Sequence, residues 1–477
     1  MHLPARSRQA RVTGGLVLAL TLALGSTLLL VTPSGAARAR AVETTASSLG
    51  LPSSALLAGG TARTAGLLPL RAPDRYVPAQ GAKFNHWNIR RYRYTIRRHM
   101  MRTINSVPRG ATIRWMVFSF GDTGIEQALV RAYNRGVSVQ VLGNYKNQET
   151  WEPWRKLVAA LGTKRARPGR NPERLSWARQ CHLSCRGWGG NLHMKLFLFS
   201  QVASVPDVTM YGSWNPTWVA NQRQWNHLDT RWDPDTYNHY LHIFAQAKQD
   251  RPFGYASWMS GGMENFVFPR PSTRAATDPM NIQLAKVSCV SPPDATGATR
   301  ATVVRVGMYV FGGSRGTWMA KRIRSLWNEG CDVGIVYGFA SARALSILYS
   351  PTGRGRIPMK QAMKIENGIP YRYLHDKFVA VSGVYDGVPG SNVVWAGSTN
   401  FNNLGFSSDD MTVRTMDAAN TQAYFQDWNI TWNGPDTRRP RAGVANPENR
   451  NRVASAQLSQ NLRAPLGQGY YAALEAD

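Results

Sequence analysis

Two stretches of the chain carry the same succession of apolar and polar positions. In the first, the apolar run Arg114–Phe120 predicts a strand, and Ile125, Leu129, Val130 and Tyr133 recur at helical spacing from about Thr123 to Asn134. Arg135-Gly136 closes that helix, glycine being suited to the left-handed turn at a helix end, and Val137–Leu142 is the next strand. In the second, Thr302–Val310 predicts a strand, a helix follows from about Thr317 to Asn328, Glu329-Gly330 ends it, and Cys331–Tyr337 is again a strand. Each stretch then gives a loop, a buried strand opened by His-x-Lys, a Gly-Ser-x-Asn turn and a closing aromatic helix. That helix carries Tyr237, Tyr240, Ile243 and Phe244 in one case and Tyr424, Phe425 and Trp428 in the other. His193 and His375 stand 182 residues apart, a period that means duplicated domains rather than a solenoid. The fold class expected is α/β: two alternating α/β units of roughly 150 residues, packed face to face.

The flanks lack this periodicity. Residues 1–41 read as a secretory signal peptide, with Arg6, Arg8 and Arg11 ahead of an apolar run from Gly15 to Val31 and small-x-small cleavage sites near Ala39 to Ala41. A membrane anchor is the competing reading of that run. Residues 42–83 form an Ala/Gly/Ser/Pro-rich linker, 84–251 the first repeat, 252–285 a linker, 286–434 the second repeat and 435–477 a polar basic tail. The export signal makes the expected location extracellular, and the expected state is a monomer. Four cysteines agree with an oxidising destination and are expected to pair as Cys181–Cys185 and Cys289–Cys331. A zinc site at Cys181, His182 and Cys185 is the alternative, weakened by the lack of a fourth ligand nearby. A formal charge of +29 directs attention to anionic partners.

The candidate chemistry lies in His193-Met-Lys195 with Gly212-Ser213-Trp-Asn215, and in His375-Asp-Lys377 with Gly397-Ser398-Thr-Asn400. Side chains two apart on a strand share a face, so each histidine projects beside its lysine. An imidazole can attack phosphorus and form a covalent intermediate, while the ammonium neutralises the charge that builds on the non-bridging oxygens. Ser213, Asn215, Ser398 and Asn400 add short neutral donors at tight turns. A single HxK or GSxN arises by chance; two of each in matched order do not.

This arrangement resembles the phospholipase D superfamily, whose hallmark is HxK followed by GSxN in two copies, and the resemblance spans roughly Phe84 to Trp432. It implies two tandem phospholipase D-like α-β-α sandwich domains with mixed sheets, forming a pseudo-two-fold pair with one shared active site, a phosphohistidine intermediate, and catalysis without a metal or other cofactor. It further implies His193 as nucleophile and His375 as general acid, although both motifs are complete and the roles could be exchanged. Two departures stand out. Ser200 and Ser382 replace the family's motif aspartate, and the run to GSxN is longer in both copies, consistent with an extended hairpin. Family members place an acid shortly after GSxN to hold the histidine. Asp229 fits this role in the first half and Asp410 in the second, with Asp409 a close competitor.

Lys164, Arg165, Arg167, Arg170, Arg174, Arg179 and Arg186, with Trp151, Trp154, Trp177 and Trp188, form a basic aromatic approach to His193. Arg179, Arg186 and Trp188 are its expected substrate-binding residues. Arg90, Arg91, Arg93, Arg97, Arg98 and Arg102 are expected as surface charge on a helix. Hydrolysis or transfer of the phosphatidyl group of anionic or zwitterionic phospholipids, with contact to a membrane surface, fits export and interfacial tryptophans. Nucleic acid is the alternative substrate, because arginine-rich aromatic surfaces also track phosphate backbones. A catalytically inert anion- or membrane-binding module is the third reading, against which stand intact histidines and lysines in both copies.

Overall fold

The computed structural model describes residues 75–163, 175–270, 274–291, 299–366 and 369–440. The predicted leader, most of the first linker, Lys164, Arg165, Arg167, Arg170 and Arg174, and the tail beyond residue 440 lie outside the described residues.

The first half contains β1 (Gly81–Asn85), β2 (Thr112–Val117), β3 (Ser138–Gly143), β4 (Trp177–Gln180), β5 (Leu196–Val202), β6 (Val205–Gly212) and β7 (Gln224–Trp232). They pair in the order β4-β3-β2-β5-β6-β7-β1, parallel across β4-β3-β2 and antiparallel elsewhere. The second half adds β8 (Ala256–Ser260), β9 (Met263–Val267), β10 (Val287–Ser288), β11 (Val303–Phe311), β12 (Asp332–Ala340), β13 (Met359–Glu366), β14 (Ile369–Leu374), β15 (Lys377–Tyr385), β16 (Val388–Gly397), β17 (Met411–Thr415) and β18 (Thr437–Arg438). Its sheet runs β18-β13-β12-β11-β15-β16-β17-β9-β8, with β11, β12 and β13 parallel. The central strand order is therefore the same in both halves, as expected for a duplication. β14 joins them, antiparallel to β13 and parallel to β7.

Alternation along the strands builds cores on both faces of each sheet. In β5, Phe197 and Phe199 face a core shared with the helices Thr95–Asn105, Thr123–Asn134 and Glu152–Leu161. Leu196 and Leu198 face the opposite way, onto the helix Pro234–Ala247 together with Val267, Met411 and Val413 of the second half. β15 repeats the division, with Val379 and Val381 on one side, and Phe378 and Ala380 on the other beside Trp87 and Trp225 of the first half. Two of the four large cores thus draw on both halves, so the halves are joined by buried apolar surface. The helices Thr123–Asn134 and Gly313–Asn328 each lead to a glycine at positive φ, Gly136 and Gly330.

Several boundaries differ from the sequence reading. β1 starts at Gly81, ahead of Phe84. Residues 252–285, read as a linker, supply the β8–β9 hairpin on β17 and the helix Pro279–Leu284. β8, half-buried, and β9, mostly buried, are only five residues each around Gly261-Gly262, too short for a sustained apolar pattern. The residues read as tail open with β18, paired to β13. The basic helix begins only at Thr95, and Arg97 pairs with Asp122, the N-cap of the following helix, at 2.6 Å. Both disulfides expected from the sequence are present, so Cys181 and Cys185 bond each other rather than a metal. No helix among the described residues is long and apolar enough to cross a membrane.

Candidate active site

Each HxK segment is held by the other half of the molecule. Leu192 bridges in parallel to Asp409, whose carbonyl accepts the N–H groups of His193 at 3.0 Å and Met194 at 2.7 Å. Leu374 pairs in parallel with Trp225, whose carbonyl accepts the N–H of His375 at 3.0 Å. The side chains cross in the same way. His193 Nδ1 lies 3.0 Å from both carboxylate oxygens of Asp410, and His375 Nδ1 lies 2.8 Å from Asn226 Oδ1.

This corrects the expected acid partners. Asp410 serves the histidine of the opposite half rather than its own, because β17 begins beside His193. Asp229 holds neither histidine: it accepts from Tyr424 Oη at 2.5 Å and Asn420 Nδ2 at 3.3 Å, with Arg231 at 3.4 Å. It ties β7 to the helix Ala418–Trp432. The residue matching Asp410 is Asn226, which sequence reasoning passed over while seeking an acid. Its register was the available signal: the N–H of Ser213 reaches His227 O and that of Ser398 reaches Met411 O, each one residue beyond the histidine's partner.

The GSxN turns position these partners. Gly212 and Gly397 let the neighbouring strand approach so closely that a Cβ would lie 2.3 Å from His227 O or 2.2 Å from Met411 O. Ser398 Oγ donates to Asp410 Oδ1, and Ser213 Oγ lies 3.0 Å from Asn226 Oδ1. The serines therefore orient the side chains that orient the histidines, rather than serving as free donors to an anion. Asn215 Oδ1 accepts the Ser119 N–H, while Asn400 lines the cleft. Lys195 and Lys377 each donate to the carbonyl of the histidine two residues earlier at 2.7 Å. Each also lies near an aromatic ring, Phe118 for Lys195 and Tyr309 for Lys377, at 5.1 and 4.6 Å. The motif-aspartate replacement Ser200 accepts the Thr112 N–H, joining β5 to the start of β2.

The halves differ in the chain of groups behind each histidine. Asn226 Nδ2 donates to Gln224 Oε1, and Gln224 Nε2 donates to Tyr373 Oη, which fixes Asn226 Oδ1 toward His375. Ser213 Oγ also lies 3.3 Å from Asp376 Oδ1, which accepts from His227 Nδ1 at 2.9 Å. Asp376, inside the HxK motif itself, is thus linked to His375 through one hydroxyl and one amide. His375, Asp376, Lys195 and Lys377 are all buried, and His193 is 4% exposed at a narrow cleft lined by Asn191, Asn400, Asn402, Leu404, Ser408 and Asp410.

Of the expected substrate-binding residues, Arg186 is buried and its guanidinium donates to Gln246 Oε1, Phe268 O and Gly254 O. It fastens the disulfide loop to β9 and the preceding chain, so it is corrected to a structural role. Arg179 stacks on Trp177 and reaches Lys248 O at 3.4 Å, on the helix side of β4, and is likewise not placed at the cleft. Trp188 is 72% exposed on a glycine loop whose Gly187 and Gly190 abut the backbone of Ser407. Asp409 anchors that loop by accepting the N–H groups of Cys185 and Arg186, and burial pushes its carboxyl up to about 7. Among the described residues, no group of three or more His, Cys, Asp or Glu side chains is placed to hold a metal ion.

No family model and no curated protein matches the chain. Among solved structures, polyphosphate kinase from Porphyromonas gingivalis is similar at 10% identity and TM-score 0.46, the match covering 81% of this chain and 55% of that one. This chain therefore spans about half the length of that kinase. Phosphatidylserine synthase from Haemophilus influenzae is similar at 11% identity and TM-score 0.46, over 77% and 90% of the two chains. Nuc from Salmonella typhimurium, a phospholipase D family member, is similar at 19% identity and TM-score 0.26, over 36% of this chain and 96% of that one.

Proposed function

We propose that the chain is a phospholipase D-like phosphodiesterase that forms a phosphohistidine on His193 and hydrolyses or transfers the phosphatidyl group of phospholipids. The observation that carries this reading is the crossed support of two His-Lys pairs, each histidine gripped at Nδ1 by the opposite half.

A carboxylate can only accept, so His193 Nδ1 carries the proton and Nε2 has the lone pair that attacks phosphorus. As the P–N bond forms, the bond to the leaving oxygen breaks and His375 Nε2 gives that oxygen a proton. The phosphorylated imidazole keeps its Nδ1–H and is cationic, and Asp410 lies where that charge arises. His375 must release a proton and later take one from water or an acceptor alcohol. The neutral Asn226 oxygen holds its orientation without the strong proton affinity that a carboxylate would confer. This asymmetry supports reading His193 as nucleophile and His375 as acid and base. Lys195 and Lys377 would neutralise the equatorial oxygens, in a buried site where charge interactions are strong.

The lipid reading is supported by Leu404, 41% exposed at the cleft on the short helix Leu404–Ser407, and by Trp188, 72% exposed on the glycine loop packed against Ser407, where they can enter the headgroup layer. Vesicles of phosphatidylcholine and phosphatidylglycerol, with plasmid DNA in parallel and EDTA throughout, test it. Release of choline or glycerol without nicking is expected; nicking without release would replace the lipid reading with the nuclease one. Abolition by EDTA would remove the metal-independent mechanism. The labelled intermediate is checked by trapping substrate-derived phosphate and locating it on His193.

A further inference from the structure

The residue inside each HxK triplet differs in kind between the halves. Met194 sits in an apolar core with Leu192, Leu196 and Met411, whereas Asp376 is a fully buried carboxylate. Its backbone is fixed by the Tyr309 N–H, which donates to the Asp376 carbonyl at 2.8 Å. The side chain is joined to His375 by short steps: Asp376 Oδ1 lies 3.3 Å from Ser213 Oγ, Ser213 Oγ 3.0 Å from Asn226 Oδ1, and Asn226 Oδ1 2.8 Å from His375 Nδ1. The matched Ser398 receives the Met411 N–H and donates to Asp410. Ser213 receives the His227 N–H at 3.1 Å in the same way, but has Asp376 as a second acceptor beyond the amide. The carboxylate that His193 meets directly thus stands one layer further back from His375.

The groups around Asp376 leave its charge standing. His227 Nδ1 donates to it at 2.9 Å, while His227 Nε2 finds no acceptor among the described residues and its ring meets those of Phe378 and Tyr424. A cationic His227 would bury an unsatisfied N–H there, so the neutral Nδ1–H form fits. Burial lowers the pKa of His86 to about 4 and keeps it neutral. Asp427, 3.4 Å from His86 Nε2, is pushed well above the usual carboxylate range by burial and then by the charge of Asp376, so Asp427 is the acid that keeps its proton. Burial likewise raises the Tyr424 hydroxyl. Around His375 the balance runs the other way. It is buried, the Lys377 ammonium donates to its carbonyl, and the Tyr309 and Tyr373 rings face it at 4.9 and 6.4 Å. Burial and the lysine both disfavour an imidazolium, and the Asn226 amide brings no charge to offset them.

We propose that Asp376 is the counter-charge of His375, set one hydrogen-bonded layer behind Asn226, where it keeps the imidazole protonated for its role as acid. Asp376 touches no substrate and acts through His375. That role rests on reading the cleft as a phosphodiesterase site; the charge relation is tested without turnover. Histidines carrying ¹³C at Cε1, with the His375 resonance assigned by its loss in His375→Gln, give the titration midpoint of each imidazole by NMR in the free protein. Asp376→Asn is expected to lower the His375 midpoint by about one pH unit and to move that of His193 less. An unchanged His375 midpoint, or an equal fall at both histidines, would overturn the proposal. Combining Asn226→Asp with Asp376→Asn moves the charge to the contact position, the arrangement that His193 has, and should return the midpoint to the wild-type value or above. A double variant as low as Asp376→Asn alone also overturns it. Should Asp376→Asn not fold by itself, the double variant is compared with Asn226→Asp: a midpoint about one unit lower upholds the proposal, and an equal one overturns it. In turnover, Asp376→Asn should move the alkaline limb of kcat/KM on short-chain phosphatidylcholine to lower pH by the NMR shift. The change should be smaller on bis(p-nitrophenyl) phosphate, whose leaving group needs no proton. A limb that stays in place while the midpoint falls overturns the catalytic part of the proposal. A protein that cleaves neither ester removes the phosphodiesterase reading and leaves the NMR comparison to decide the counter-charge.

Discussion

His193 and His375 occupy matched places in two halves of the same strand order, yet one faces a carboxylate and the other an amide. Around them the symmetry holds closely. Each lysine donates to its histidine's carbonyl, each GSxN serine bonds the opposing partner, and each histidine N–H reaches across to the other half. Symmetry is kept where the pieces must be positioned and broken at the group that faces each Nδ1, a carboxylate for His193 and an amide for His375. The proposed displacement, with one nucleophile and one acid, asks two histidines for opposite behaviour.

The largest effects should come from removing either histidine, and they should differ in kind. His193→Ala is expected to abolish turnover and phosphoenzyme together, by about 10⁴-fold or more. His375→Ala should lose as much on an alkyl phosphodiester, whose leaving oxygen needs a proton. With p-nitrophenol as leaving group it should still give a stoichiometric burst that stalls at the phosphoenzyme. Quench-flow measurement of the burst is the check, and a burst in His193→Ala instead would reverse the two roles.

Exchanging the partners tests the asymmetry directly. Asp410→Asn should lower kcat by about 10²- to 10⁴-fold, since an amide neither fixes the Nδ1–H form as firmly nor faces the cationic intermediate with charge. Asn226→Asp should cost less, about tenfold on alkyl esters, and move the alkaline limb of the kcat/KM profile to higher pH. That substitution also sets a second buried carboxylate near Asp376, through the shared Ser213 hydroxyl. If both variants shift the profile alike, the two histidines are not specialised.

The duplication, the strand–helix–strand openings, both HxK…GSxN sets and both cysteine pairs were legible because each is a local pattern of chain spacing. The helix Thr123–Asn134 was placed to the residue, since Asp122 caps it and Gly136 follows it. The crossed partners were not legible. Nothing in the sequence around Asp410 says that β17 starts beside His193, a fact set by how two sheets pack. Asn226 was invisible for a related reason, because a search for acids excludes an amide however well it is placed. Arg186 and Arg179 looked like substrate ligands because charge was weighed without burial. One is consumed by three carbonyl-type acceptors, and the other lies along a tryptophan away from the cleft. The β8–β9 hairpin was missed because its strands are only five residues each, too short to show a period.

A further difference lies one residue before the partners, where the second half has Asp409 and the first half Trp225. Both lend a carbonyl to the opposing histidine's backbone, but only Asp409 can titrate. It is fully buried, and although Cys185, Arg186 and Ser184 favour its charged form, desolvation outweighs them and raises its carboxyl from 3.8 to about 7. With the folded value above the unfolded one, the native state binds the extra proton between these limits. The contribution to stability is therefore complete below about pH 4 and lost as pH rises through about 7. The slope approaches about 1.4 kcal/mol per pH unit mid-window, which for a body of this size is about 2 °C of Tm per unit. Thermal melts from pH 4 to pH 9 should show the wild-type Tm falling relative to that of Asp409→Asn between pH 4 and about 7, with the offset constant above it. A difference independent of pH would mean that this carboxylate stays charged throughout and that the disulfide loop is anchored by charge rather than by a neutral acid.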